Sequence, residues 1–248
     1  QSDVLVNGLD FYPTILSLIN VERPKGKSFD GLDLSAILLK NPKAASLVRE
    51  ENGSVRDTML WHFPNSGAFE STIRKGGYKL VRNYNHVNSP STDELELYQL
   101  YKTEEGIQQR VDLEEANNLA TRMPEKAAAL NQELTTRLTE MKASYPYYNP
   151  HFVGKTPHKD KVCEVLSHEQ KGRRLIFKYK NNGAKVLKAD LLYTLNGGER
   201  YEEWFRLRDL VIEDSKVLAT LPEGTTHYYL NLIDENQFLR SFPEVEKA

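Results

Sequence analysis

The strongest constraint on this chain is a break in its pattern. Residues 145–157 read YPYYNPHFVGKTP, with prolines at 146, 150 and 157 and no hydrophobic period. Such a stretch neither continues a helix nor holds a strand ladder, so it separates what lies on either side. Upstream, helical and strand-like patterns mix; downstream there are only strand-like runs. The 248 residues therefore predict two domains, 1–157 and 158–248. The expected class is α+β: a small antiparallel sheet packed with helices, then an all-β, immunoglobulin-like sandwich.

In residues 9–21, Phe11, Ile15, Leu18 and Ile19 have the spacing of one helical face. This predicts a helix that Asp10 caps, with Pro13 in the first turn. Residues 33–40 predict a short helix capped by Asp33 and ended by Asn41-Pro42. Strand-like runs follow at 58–63, 70–74, 78–84 and 94–100, separated by Pro64-Asn65-Ser66-Gly67, by Gly76-Gly77 and by a polar stretch. Their short connections favour antiparallel pairing. Residues 124–144 predict a long helix whose stripe, Ala127, Leu130, Leu134, Leu138 and Met141, packs across that sheet.

Beyond the break, runs at 162–166, 175–179, 188–195, 203–207, 216–219 and 227–234 are punctuated by Asn182-Gly183, Asn196-Gly197-Gly198 and Pro222-Glu223-Gly224. Strands with turns at this interval suit a sandwich.

With 33 basic and 35 acidic residues the net charge is −2, far from the basic footprint of a nucleic-acid binder. No apolar run approaches the roughly 20 residues that span a bilayer, so no membrane span is expected. The single cysteine, Cys163, excludes an intrachain disulfide and a Cys-rich zinc site.

Six strings stand in order in the first domain: Leu9-Asp10-Phe11-Tyr12-Pro13-Thr14-Ile15-Leu16, Phe29-Asp30-Gly31-Leu32-Asp33-Leu34, Trp61-His62-Phe63-Pro64, Ile73-Arg74-Lys75-Gly76-Gly77-Tyr78-Lys79-Leu80-Val81, Glu96-Leu97-Tyr98 and Asn118-Leu119-Ala120. Taken together over residues 3–150, they resemble the C-terminal region of the sulfatases, in the alkaline-phosphatase superfamily. The chain departs from that pattern at Tyr98-Gln99-Leu100-Tyr101-Lys102-Thr103, where the family continues Leu-Tyr-Asp-Leu and an acidic turn. That marks a divergent subfamily. The second domain lies outside the resemblance.

The resemblance implies a parent enzyme that hydrolyses sulfate esters, on a carbohydrate, with a formylglycine nucleophile and calcium. The formylglycine arises from a Cys/Ser-x-Pro-x-Arg motif. Cys163, in Val162-Cys163-Glu164-Val165, and Ser89-Pro90-Ser91 both lack that spacing. Asp30 and Asp33 are too few for a calcium cage of 6 to 8 oxygens. No catalytic residue and no metal ligand is therefore expected in this chain. An N-terminal sulfatase catalytic domain is the expected partner, and periplasmic or secreted location is the family's.

In that setting His62, beside Trp61 at a strand end, is the leading candidate for substrate contact; the competing reading is a histidine that caps the sheet or faces solvent. Arg74 and Lys79, flanking the Gly76-Gly77 turn, suit a sulfate or a sugar carboxylate, or are ordinary hairpin charges. Lys171, Arg173, Arg174, Lys178 and Lys180 form the densest basic cluster, read either as an anionic-polysaccharide patch or as a solvated strand face. Trp204 with Tyr201, and Tyr228 with Tyr229, are candidate sugar platforms, at least one of each adjacent pair being expected in the core. The rival function is a stand-alone glycan- or protein-binding module without enzymatic activity.

Overall fold

The computed structural model describes residues 4–27, 29–39, 48–50, 53–65, 69–89, 91–105, 107–152 and 154–244. Lys40, Asn41, Pro42, Ser66, Gly67 and Pro90, on which the expected end of the second helix, part of the first loop and the serine candidate fall, lie outside them. The chain forms two compact units, Gln1–His86 with Ser91–Ser144, and Val87–Pro90 with Tyr145–Ala248. The proline-rich residues 145–157 thus lie in the second unit.

In the first unit, α1 (Phe11–Leu18) is entered through a 3-10 turn, Gly8–Asp10. Asn7, not Asp10, caps that turn: its side-chain oxygen accepts from the Leu9 N–H at 2.9 Å. Asp10, expected to cap α1, makes no capping bond to it, because its carboxylate is committed elsewhere. The short α2 (Ser35–Leu39) follows Asp33, whose carboxylate accepts from the Ser35 N–H at 2.8 Å.

Four strands, β1 (Thr58–His62), β2 (Glu70–Lys75), β3 (Tyr78–Asn83) and β4 (Leu95–Gln99), form one antiparallel sheet in sequential order. Leu60, Ile73, Leu80 and Leu97 stand in register across it. Ile73, Leu80 and Leu97 are fully buried, as are Leu134 and Leu138 of α3 (Pro124–Glu140), the helix that covers this face. Ala127 and Leu130 complete the predicted stripe, while Met141 falls past the helix end and is exposed.

A two-stranded hairpin, β5 (Tyr101–Glu104) with β6 (Ile107–Arg110), follows the sheet. The sequence pattern gives no sign of it, since apart from Tyr101, which packs against Val81, Tyr98 and Leu100, its described residues are exposed. Its start crosses the β2–β3 turn so closely that a Cβ on Gly77 would lie 2.1 Å from the Tyr101 carbonyl oxygen.

The second unit holds β7 (Glu164–Lys171), β8 (Arg174–Lys180), β9 (Val186–Thr194), β10 (Trp204–Leu207), β11 (Val211–Glu213), β12 (Lys216–Thr220), β13 (His227–Asp234) and β14 (Leu239–Phe242). They form two four-stranded antiparallel sheets, ordered β10-β9-β13-β14 and β11-β12-β8-β7. One core joins them: Leu175, Phe177 and Val217 from one sheet meet Ala189, Leu191, Leu230 and Leu232 from the other, with Cys163 among them. The three- and four-residue strands β11 and β14 were too short to register as periodic runs.

Candidate functional site

His62 ends β1 on the face that α3 covers, in register with Ser71. Its Nε2 lies 2.8 Å from the Ser144 carbonyl oxygen, which only accepts, so that nitrogen carries a hydrogen. Its Nδ1 lies 2.6 Å from Ser71 Oγ, which in turn lies 2.7 Å from the Tyr84 hydroxyl. A histidine this close to a serine is the spacing of an activated nucleophile. Ser71, however, is 1% exposed and out of reach of a substrate. The chain Tyr84–Ser71–His62–Ser144 instead straps β1, β2 and the segment after α3 together.

Arg74 and Lys79 are cross-strand partners on the opposite face of the sheet, because alternate residues of a strand point to opposite sides. The three predicted contact residues are therefore split, two from one. The Lys79 ammonium is held by Glu115 at 2.6 and 2.7 Å. Arg74 has its guanidinium 5.0 Å over the Tyr101 ring. Its Nε is buried without a hydrogen-bond partner among the described residues. Beside them, burial and the Glu96 carboxylate that accepts from its hydroxyl at 2.7 Å push the Tyr98 phenol far up.

In the second unit, Lys171, Arg173, Arg174, Lys178 and Lys180 are all exposed, and Lys178 pairs with Glu169 at 3.0 Å. The aromatic pairs are divided. Trp204 donates to the Gly198 carbonyl and packs 5.3 Å from Tyr229, Tyr228 donates to Gln170, and Tyr201 is exposed alone. None of these pairs forms a joint flat platform.

What the sequence did not reveal is the ion pair at Asp10. Arg56 grips its carboxylate with both terminal nitrogens, at 2.7 and 2.8 Å, and the Asn7 and Leu32 N–H groups each donate to it at 2.8 Å. Asp10 is wholly buried and the Arg56 side chain is nearly so. Burial opposes the charge on Asp10, but the bonds from Arg56, Leu32 and Asn7 outweigh it and hold the carboxyl below its usual range. The Leu34 N–H donates to Thr14 Oγ1 at 3.0 Å, so two of the six sequence strings, 9–16 and 29–34, are laced together. Gly31 sits where a Cβ would lie 2.0 Å from the Leu9 carbonyl oxygen. The partner of Asp10 is 46 residues away, and no local motif at Arg56 signals it.

Next to this knot lies a cleft of about 770 Å³ lined by Leu9, Leu32, Arg56, Leu60, His62 and Met141, among others. Of its two arginines, Arg56 is neutralised by Asp10 and Arg137 pairs with Glu133 at 3.1 Å. Among the described residues no group of three or more His, Cys, Asp or Glu side chains is placed to hold a metal. Of the two acids weighed for calcium, Asp33 accepts from the Ser35 N–H and Asp30 is exposed. Cys163 is buried in the second unit, and its thiol is pushed up to about 11 by burial and then by Asp234.

The chain matches no family model and no curated protein, so the geometry above carries the functional argument.

Proposed function

We propose that this chain is the non-catalytic C-terminal part of a sulfatase, seated on a catalytic domain through the outer face of α1. One observation carries this reading. α1 buries only Pro13 and Thr14, leaving Phe11 67%, Ile15 54% and Ile19 61% exposed, with Leu9, Tyr12 and Leu18 beside them. This is the i, i+4, i+8 face that the sequence marks as apolar, and contiguous apolar surface of this kind belongs to an interaction site. An apolar partner surface is its complement, since no charge lies among these residues.

In this reading the covering domain supplies the formylglycine and the calcium, and the whole enzyme hydrolyses a sulfate ester on a carbohydrate in the periplasm or outside the cell. The 770 Å³ cleft beside His62 offers this unit's contribution to a substrate wall, with Arg74 and Lys79 left out of it on the opposite face of the sheet. For the second unit, an immunoglobulin-like sandwich is the arrangement that two four-stranded antiparallel sheets around one core support. Of the rivals, a free-standing glycan-binding module needs no such apolar seat, whereas a free-standing protein-binding module would use the same face for another partner.

The test is the gene product itself. An upstream reading frame bearing Cys/Ser-x-Pro-x-Arg, with Phe11→Glu/Ile15→Lys lowering arylsulfatase activity of the full protein at least tenfold, is expected. A native start at Gln1 overturns the enzyme reading. So does full activity of the double variant.

A further inference from the structure

The second unit carries a recess of about 420 Å³ that none of the candidate residues above belongs to. Tyr147, Tyr148, Pro150, His151, Leu239 and Glu244 line it. A volume of this order holds a small ligand or a short stretch of a polymer.

Its aromatic walls are fixed in advance. Tyr147 lies beside Arg206, which is itself paired with the buried Asp190. Tyr148 is tied at both backbone groups to the β13–β14 turn, its N–H donating to the Gln237 carbonyl at 2.8 Å and its carbonyl accepting from the Leu239 N–H at 3.0 Å. Its ring packs 5.5 Å from Phe238. Rings held in this way lose little freedom when a ligand stacks on them.

The polar rim is equally definite. Arg240 reaches Glu244 with one terminal nitrogen and His151 Nε2 with the other, both at 2.7 Å. A guanidinium donates and never accepts, so His151 Nε2 is the acceptor, the ring is neutral and its hydrogen sits on Nδ1. That Nδ1–H has no partner among the described residues, and the ring is more than half exposed. The charges of Arg240 and Glu244 cancel. Among the described residues the cation nearest the rim, Arg240, is already paired with Glu244, so a sulfate, phosphate or carboxylate gains little from it. An uncharged ring with one apolar C–H face and hydroxyl groups at its edge gains both the stacking and the hydrogen bonds.

We propose that this recess binds neutral sugar units of a glycan. It stacks a pyranose on the tyrosine wall and gives one ring hydroxyl the His151 Nδ1–H. The inference goes beyond the sulfatase reading, and since it uses no residue of the first unit, its failure leaves that reading standing.

The test is affinity electrophoresis of the full chain in native gels containing galactomannan, xyloglucan or laminarin, with ι-carrageenan as the sulfated arm. Retardation by at least one neutral polysaccharide is expected. His151→Ala should weaken it about tenfold, while His151→Gln, which keeps a donor and an acceptor, should stay within about threefold of the parent. Asn149→Ala, which removes the Oδ1 that accepts from the His151 N–H at 2.8 Å and so positions that ring, reads the same loss should His151→Ala not fold. Retardation by carrageenan alone, by no neutral polysaccharide, or equally in His151→Ala or Asn149→Ala as in the parent overturns the proposal.

Discussion

Replacing Asp10 with Asn is nearly isosteric, yet it should be one of the most damaging single changes in the first unit. Each carboxylate oxygen of Asp10 faces two donors, Oδ1 the Arg56 Nη2 and the Leu32 N–H, Oδ2 the Arg56 Nη1 and the Asn7 N–H. Whichever oxygen becomes an amide nitrogen then opposes two donors with a third, and Arg56 is left as a buried, uncompensated charge. Breaking a buried pair by removing one partner costs about 3–5 kcal/mol, a large share of a domain's net stability of about 5–15 kcal/mol. About 4 kcal/mol corresponds to roughly a thousandfold rise in the opening equilibrium. Hydrogen exchange of the amides of residues 78–83 and 95–99, strands β3 and β4 of the core sheet of this unit, reads that opening directly. The double variant Asp10→Leu/Arg56→Met removes both charges and should recover most of the loss. The pH dependence has a definite sign. A carboxyl held below its ordinary value of 3.8 contributes its full stability above that value. It loses the contribution as pH falls through the lower folded value, an acid limb that Asp10→Asn should lack. Exchange within threefold of the parent in Asp10→Asn, or losses from Asp10→Asn and Arg56→Met that simply add, would refute the reasoning.

Two further outcomes follow from the packing. Cys163, 4% exposed and with its thiol raised to about 11, should react with a disulfide reagent at pH 8 only after unfolding; rapid stoichiometric labelling of the folded chain contradicts its placement in the core. Gly31→Ala should cost about 1–3 kcal/mol by thermal unfolding, since its Cβ meets the Leu9 carbonyl, whereas Gly8→Ala, with nothing within 4 Å, should change stability little.

The sheet of the first unit and α3 were legible because their apolar residues repeat at the period of the element that buries them. Leu134 and Leu138 fall on one helix face, and Ile73 and Leu80 meet across a two-residue turn. The same arithmetic places Arg74 opposite Lys79 and puts His62 on the other face. Asp10 was misread because a carboxylate before an apolar helix suits an N-cap equally well. What decided its role was Arg56, brought in by tertiary folding and not by any local spacing. The hairpin β5–β6 buries only Tyr101, in part, and a single residue leaves no period to find.

The recess was hidden for a different reason, and it lies in the backbone. Prolines 146 and 150 donate no N–H, so the segment around them cannot build a ladder of its own, and in sequence that reads as a linker. The donors and acceptors that remain still need partners when the segment lies against a folded surface. Tyr148 finds them at Gln237 and Leu239, on a turn some 90 residues away, as a parallel bridge to Phe238. A stretch too poor in N–H groups to form a strand is thereby pinned at one residue. Its neighbours Tyr147, Pro150 and His151 then project from that anchor instead of being absorbed into a sheet. A proline-rich join between two domains, with aromatic residues between the prolines, is on this argument a place to look for a binding surface as well as for a boundary.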